Sequence, residues 1–261
     1  MLDISGNKNQ ISSLPAEIGL ATNLTNVNFD DNRLTKLPNE IGKLSKLIHL
    51  SLVSNMLTEL PNTLEGLKKL KTLWVSYNRL QKLPTSIGQL TNLDSFWAFK
   101  NQLTELPESI GGLKSVTYMD LRRNQIKALP ATIGKLAKVK KLLLANNQLE
   151  GLPTTIGQLK NLEELDLFMN QLTSIPAEIG QLKNLEKLNL SNNQLKEVPV
   201  EIGQLKNLDK LYLNNNQLTA LPKGVLLLKD TLSKLDLSNN KIPFEDTPKI
   251  RKMMPNTKIT F

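Results

Sequence analysis

Few side chains in this 261-residue sequence have the types and spacing that catalysis needs. His49 is the only histidine, so a serine–histidine–acid arrangement has a single possible base. Ser51 follows two residues later, on the same side of an extended segment, but Asp30 and Asp31, the nearest carboxylates, belong to the preceding segment. We therefore expect no catalytic residue in this group.

Metal and cofactor chemistry are no better supported by the residue types. The sequence has one histidine and no cysteine, which excludes thiolate ligands, cysteine nucleophiles and disulfide caps. Glu164 and Asp166 could form a carboxylate pair, but Lys141 and Lys187 lie 23 residues to either side of Glu164. That spacing favours ordinary pairing between neighbouring strands. The sequence predicts no enzyme, no metal site and no cofactor.

The elements that position these side chains come from a repeat of 23 residues. One unit reads N-x-L-x-x-L-P-x-x-I-G-x-L-x-x-L-x-x-L-x-L-x-x, and prolines keep the same phase from Pro15 to Pro222. Asn9 keeps the register upstream, and Asn240 follows after one inserted residue. The asparagines 23 residues apart are Asn32, Asn55, Asn78, Asn101, Asn124, Asn147, Asn170, Asn193 and Asn216.

Each part of the unit predicts a local structure. Leu142 and Leu144 alternate with other residues, as in a short half-buried strand. Asn147 then turns inward, where its amide must find backbone partners, so a hydrogen-bonded asparagine column is expected. Pro153 suits the start of a helical turn. The apolar residues after it recur every third position, which predicts a short helix or 3₁₀ turn.

A 23-residue period with the L-x-x-L-x-L-x-x-N signature is typical of leucine-rich repeats, and the chain resembles that family from residue 1 to residue 242. The near-identical I-G-Q-L-K-N-L units at Ile156, Ile179 and Ile202 resemble bacterial members, including those of spirochaetes. The closing P-N-T-K-I-T-F segment supports the same resemblance. The repeat unit is also similar to eukaryotic Ras-suppressor-like proteins.

The resemblance implies an α/β fold, a right-handed leucine-rich repeat solenoid. A parallel β-sheet would line its concave face and short helical or 3₁₀ turns its convex face. We expect one domain, residues 1–261, with about 11 coils and a helix–strand cap over residues 243–261. In that cap, Asp246 and Pro248 suit a helix start, residues 249–254 a helix and residues 258–261 a strand. The first coil should be irregular, because Gly6 falls at a core position and Asn7 and Asn9 compete for the turn.

Charge and hydropathy bound the partners. The net charge is +9, which raises nucleic acid as a partner, but the outward positions of the strands carry seven basic residues against six acidic ones. Because the basic charge is not concentrated there, we predict no nucleic-acid binding. No apolar run is long enough to span a membrane, and no signal-peptide pattern is present. The chain begins inside a coil, so a cap or an export signal upstream is compatible with this start.

Function is expected at the outward strand positions, because folding determines the others. Those positions, six, four, two and one before each asparagine, hold seven of the eleven aromatic residues, including both tryptophans. Core packing does not explain this enrichment, and exposed aromatics mark interaction sites. The predicted partner-binding residues are His49, Val53, Trp74, Tyr77, Trp97, Phe99, Tyr118, Arg122, Leu143, Phe168 and Met169, with Lys100 and Arg123 at the rim.

These observations predict a non-catalytic module that binds a protein partner on its concave face, as a monomer. Two alternatives stay open: a glycan-binding module, because flat aromatics also stack on sugars, and a structural or self-associating repeat protein. Aromatic side chains that only stack along the sheet and stabilise it would also give the pattern. The resemblance to bacterial proteins favours a secreted or cell-surface location, although the residues themselves do not decide the compartment.

Overall fold

The fold is that of a computed structural model, which describes residues 1–6 and 10–261. The chain divides into two compact units, Met1–Ile126 and Lys127–Phe261. Each unit is built from the predicted coil, a short strand followed by a turn and a 3₁₀ segment. The expectation that the whole chain is a single domain stays a prediction.

The strands of the first unit are parallel and pair in sequence order. In register, Ser51 is opposite Trp74, Trp74 is opposite Trp97, and Trp97 is opposite Asp120. One row of outward side chains therefore runs across neighbouring strands about 4.8 Å apart. The strands are β1 (Leu2–Asp3), β2 (Asn26–Asn28), β3 (His49–Ser51), β4 (Thr72–Trp74), β5 (Ser95–Trp97) and β6 (Tyr118–Asp120).

The second unit repeats this arrangement, again with parallel strands in sequence order. Its strands are β7 (Lys141–Leu143), β8 (Glu164–Asp166), β9 (Lys187–Asn189), β10 (Lys210–Tyr212), β11 (Lys234–Asp236) and β12 (Lys258–Thr260). Parallel strands joined by 3₁₀ turns confirm the predicted leucine-rich repeat architecture.

The side of each coil opposite its strand is a 3₁₀ turn, one of the two forms that the sequence predicted. Pro153 is extended at φ −68° and ψ 148° and immediately precedes the turn that begins at Thr154. In the first unit the turns are Ala16–Leu20, Asn39–Lys43, Asn62–Gly66, Thr85–Gln89 and Glu108–Gly112. In the second they are Ala131–Lys135, Thr154–Gln158, Ala177–Gln181, Val200–Gln204, Lys223–Leu228 and Phe244–Asp246.

A glycine inside the 3₁₀ turn permits the close approach of neighbouring coils. A Cβ added to Gly157 would lie 2.5 Å from the carbonyl oxygen of Glu178 on the next coil. No larger residue fits at that distance without a shift of the backbone. The close approach of the coils therefore accounts for glycine at this position of the turn.

The asparagine column forms the predicted hydrogen-bonded ladder. Asn101 is 8% exposed, donates from Nδ2 to the carbonyl oxygens of Val75 (2.9 Å) and Ala98 (3.2 Å), and accepts from the Leu80 amide at 3.0 Å. Each such side chain joins its own coil to the preceding one. Asn9, predicted to belong to this column, and Asn7 lie outside the described residues.

The leucine, isoleucine and valine ladder fills each coil, with Leu73, Phe96 and Met119 among the side chains at 0% exposure. Both ends of the chain depart from the regular coil. At the start, Gly6 has φ +117° and β1 has only two residues, in line with the expected irregularity.

The C-terminal end contains the predicted helix and strand. Helix α1 (Thr247–Met253) begins after Asp246, which occupies the N-cap position without a side-chain capping bond. It buries Ile250, and Met254 just after it is also buried, at 3% and 1% exposure. The strand that follows, β12, pairs with β11 and buries Ile259.

Candidate functional site

The outward side of strands β4–β6 in the first unit carries five aromatic side chains in two groups of ring contacts, which we together name the aromatic cluster: Trp74, Tyr77, Trp97, Phe99 and Tyr118. Trp74 and Trp97 stack with ring centroids 5.0 Å apart and an interplanar angle of 22°. Tyr118 tilts against Trp97 at 5.8 Å, and Tyr77 meets Phe99 edge-on at 5.1 Å. The register of neighbouring strands produces these contacts, because it aligns the outward positions.

The cluster is only partly covered by its own contacts. Trp97 is 38% exposed and Tyr77 45% exposed, whereas Trp74, Phe99 and Tyr118 are half-buried. The indole Nε1 of Trp74 is enclosed and has no hydrogen-bond partner. An enclosed donor without an acceptor carries a desolvation cost of about 1–3 kcal/mol. Stability alone therefore does not favour tryptophan at this position.

Cations lie over the rings of the cluster. Lys100 Nζ is 5.0 Å from the centroid of Tyr77, and the guanidinium carbons of Arg122 and Arg123 are 5.5 and 5.7 Å from that of Phe99. Arg122 is held there by Asp120, to which its Nε and Nη2 donate at 2.9 and 2.6 Å. No carboxylate in the described part of the chain forms an ion pair with Lys100 or Arg123.

The residue before each column asparagine from Asn32 to Asn240 has a left-handed backbone, a feature that the sequence analysis missed. In the first unit φ is 57° at Tyr77 and 54° at both Lys100 and Arg123. In the second unit asparagine, which tolerates this conformation well, fills four such positions, Asn146, Asn192, Asn215 and Asn239. Those asparagines were the sequence signal that could have revealed it.

His49 and Val53 lie on the neighbouring strand of the same unit. His49 is exposed, and its Nδ1 is 2.8 Å from the Thr72 hydroxyl. Ser51 donates from Oγ directly to Asp30 Oδ1 at 2.6 Å, so Ser51, His49 and Asp30 do not form the relay that acyl transfer needs. Val53 is half-buried, and its amide donates to the same Asp30 oxygen at 2.7 Å.

Asp30 is a second feature that the list of candidate residues omitted. Burial raises the pKa of its carboxyl group, hydrogen bonds from Ser51 and Val53 oppose the increase, and the charges of Asp31 and Asp3 add to it. The net effect is a pKa above the ordinary value. Its sequence position gave no sign of this, because the bond to Ser51 depends on how two coils stack.

Three predicted site residues belong to the second unit. Met169 is 52% exposed and Phe168 is half-buried, so both present apolar surface. Leu143 is only 6% exposed, which corrects the expectation that it contributes a binding surface. Strands about 4.8 Å apart bring neighbouring side chains close enough to cover a short aliphatic group, whereas an indole extends beyond them.

Glu164, one member of the carboxylate pair considered in the sequence, belongs to an ordinary ion-pair network. Lys187 Nζ is 2.8 Å from Glu164 Oε1, and Lys141 Nζ is 3.3 Å from Oε2. Burial raises the pKa of Glu164, but the two lysines outweigh it, so the pKa is lowered. Among the described residues, no three His, Asp or Glu side chains converge in a way that could hold a metal ion, and no helix is long and apolar enough to cross a membrane.

Comparison with protein families places these coils in one class. Residues 96–192 match a leucine-rich repeat region, residues 183–223 a pair of leucine-rich repeats, and residues 22–80 a leucine-rich repeat. Comparison with the curated proteins gives no significant match.

Solved structures agree with this class. A leucine-rich repeat protein of Leptospira interrogans, LIC12759, is 39% identical with a TM-score of 0.66, over 97% of this chain and 76% of that one. InlJ of Listeria monocytogenes is 26% identical with a TM-score of 0.74, over 91% of this chain and 49% of that one. The plant peptide hormone receptor RGFR1, in complex with RGF2, is 27% identical with a TM-score of 0.54, over 87% of this chain and 50% of that one. The chain belongs to the leucine-rich repeat family, and it is of the bacterial type.

Proposed function

We propose that this chain is a non-catalytic recognition module that binds a protein or peptide through the aromatic cluster of its first unit. The observation that carries the proposal is the run of ring contacts through Trp74, Trp97 and Tyr118 on a surface open to solvent. Tryptophan, tyrosine and arginine are the residue types that dominate binding hot spots. A partner that covers them removes apolar surface from water at about 25 cal/mol per Å².

Stacking for stability alone is the competing explanation, and two features argue against it. Tyr77, Lys100 and Arg123 occupy left-handed positions that cost an ordinary side chain about 1–2 kcal/mol, where asparagine would cost less. The enclosed Nε1 of Trp74 is an additional cost. Residues that oppose stability and lie together on one surface are typical of functional sites.

The family supports the same function. Leucine-rich repeat proteins are generally recognition modules, and RGFR1 is a peptide receptor whose structure contains RGF2. By analogy, the ligand of this chain is a protein or peptide segment. Phe168 and Met169 of the second unit offer further apolar contact surface and are secondary candidates for the same role.

The test begins with a display library of random 12-residue peptides selected on the protein, followed by affinity measurements on the selected peptides. Trp97→Ala should weaken binding at least about tenfold, the loss expected of a hot-spot residue. Tyr212→Ala is the matched control, because Tyr212 occupies the same outward position on β10 of the second unit. It should leave the affinity within about twofold.

Equal affinities of Trp97→Ala and wild type for every selected peptide would contradict the proposal. A parallel array of neutral oligosaccharides tests the glycan alternative. Binding of an oligosaccharide to wild type that is lost in Trp97→Ala would favour a glycan-binding module. Sedimentation over a range of concentrations distinguishes the expected monomer from a self-associating protein. If the protein self-associates through the aromatic cluster, Trp97→Ala should reduce that association.

A further inference from the structure

A groove of about 310 Å³ lies on the outward side of strands β1–β4, directly beside the aromatic cluster. Trp74 forms one wall of the groove. Asp30, His49 and Ser51 supply polar groups to its lining. The groove and the cluster share Trp74, so a ligand on the cluster can extend into the groove.

The carboxylate of Asp30 is held in a fixed orientation within this groove. Ser51 Oγ donates to its Oδ1 at 2.6 Å and the Val53 amide at 2.7 Å. These two donors orient the group without neutralising it, and no lysine or arginine in residues 1–6 and 10–261 forms an ion pair with it. Asp3 and Asp31 are close enough to act on it electrostatically. Among the described residues, three carboxylates therefore lie near one another at this end of the sheet, although the protein carries a net charge of +9.

Trp74 adds a second group that attracts a cation. Trp97 stacks on one face of its ring, from the β5 side. The other face is directed toward β3, where Ser51 is its register partner. Ser51, which donates to Asp30, is therefore about one strand spacing, roughly 4.8 Å, from the backbone of Trp74, so the indole face is a second group available to a cation on this side of the sheet.

We propose that this groove binds a lysine or arginine side chain of the protein partner, with the charged head on Asp30 and the aliphatic stem against Trp74. The inference rests on the proposed function and deepens it, because it names the chemistry that one end of the partner must have. Long basic side chains commonly place an apolar stem on a hydrophobic surface and a charged head on a carboxylate. An anionic group is disfavoured there by Asp3, Asp30 and Asp31.

The experiment uses the same library of random 12-residue peptides. Peptides selected on the wild-type protein should carry lysine or arginine at one fixed position. In a selected peptide with lysine there, norleucine keeps the stem and removes the charge, and should weaken binding to wild type about tenfold. Asp30→Asn keeps an oxygen that can accept from Ser51 and Val53, and this variant should bind the two peptides within about twofold of each other.

Asp31→Asn is the matched control, since it removes the same charge from the adjacent, exposed residue. It should retain most of the preference for lysine over norleucine, because exposed charges are screened by solvent and salt. Thermal unfolding of both variants checks that they are folded.

Two results would overturn the inference while leaving the proposed function intact. Selected peptides could depend on Trp97 yet show no basic preference, or Asp30→Asn could keep the full tenfold discrimination. The inference would also be overturned if Asp30→Asn weakened the binding of a neutral oligosaccharide and left the binding of basic peptides unchanged. A library without any peptide whose binding depends on Trp97 would count against both proposals.

Discussion

At the scale of single residues, the position before each ladder asparagine has a left-handed backbone, and the two units fill it with different residue types. All ten such residues from Asp31 to Asn239 have φ between 54° and 58°. The second unit fills most of these positions with asparagine, the residue that tolerates the conformation best, whereas Tyr77, Lys100 and Arg123 follow one another in the first unit. These three side chains belong to the proposed binding surface, and under that proposal the local backbone cost is offset by a gain in recognition.

Met169 offers a clean measurement of that backbone cost, because it is the one non-asparagine at this position in the second unit. Its side chain is 52% exposed, so little packing is lost on substitution. Met169→Asn should raise the free energy of unfolding by about 0.5–1 kcal/mol, measured by urea denaturation. Gln171→Asn, at an exposed position without positive φ, is the control and should change stability little. An unchanged or lower stability of Met169→Asn would show that strain at this position is negligible.

At the scale of the coil, the sequence predicts most of the fold, for a physical reason. Every coil must satisfy the backbone groups where its strand ends and fill its interior with aliphatic side chains, so the asparagine and leucine positions repeat every 23 residues. What depends on the stacking of neighbouring coils was not predictable. The burial of Leu143 and the bond between Ser51 and Asp30 are examples, since each is decided by side chains 21 or 23 residues away.

The ladder asparagine is expected to act on stability alone. Asn124 donates to the carbonyl oxygens of Leu121 (2.9 Å) and Ala98 (3.0 Å) and accepts from the Leu103 amide at 3.0 Å. Asn124→Ala leaves these buried groups unsatisfied and should lower the free energy of unfolding by about 1–3 kcal/mol in urea denaturation. Gln125→Ala, at the exposed neighbour, should have little effect. Peptide affinity measured well below the unfolding transition should be unchanged in Asn124→Ala, and a selective loss of binding would contradict the assigned role.

The ion-pair network of the second unit makes a prediction about pH. Burial raises the pKa of Glu164, but Lys187 and Lys141 lower it by more than burial raises it. The pKa in the folded state is therefore below that in the unfolded state. The network therefore contributes stability above the unfolded pKa of about 4.3. That contribution is lost as the pH falls through the folded pKa.

Glu164→Gln tests this linkage. It should reduce the free energy of unfolding by about 0.5–1 kcal/mol at pH 7, and the difference from wild type should shrink once the pH falls below about 4.3. Urea denaturation at a series of pH values gives the comparison. A difference that is the same at acid and neutral pH would contradict a charge-based contribution and point to packing instead.

At the scale of the whole molecule, composition alone is misleading. The chain is basic, yet the groove at strands β1–β4 contains the carboxylate of Asp30. Lys100 and Arg123, which form no ion pair with a described carboxylate, lie over aromatic rings. Net charge describes solubility and long-range attraction, not the local chemistry of a site. The sequence indicated where the aromatic side chains cluster, because folding leaves the outward strand positions free to vary, but it did not resolve the charge arrangement along that surface.

The central claim is that a partner covers the two tryptophans, which are the only ones in the protein. The most direct measurement is acrylamide quenching of the intrinsic tryptophan fluorescence, with the protein free and then saturated with a selected peptide that itself lacks tryptophan. Because Trp97 is 38% exposed in the free protein, we predict a clear decrease in the quenching constant on saturation. A quenching constant that stays the same at full occupancy would contradict the proposal that the aromatic cluster is the binding site.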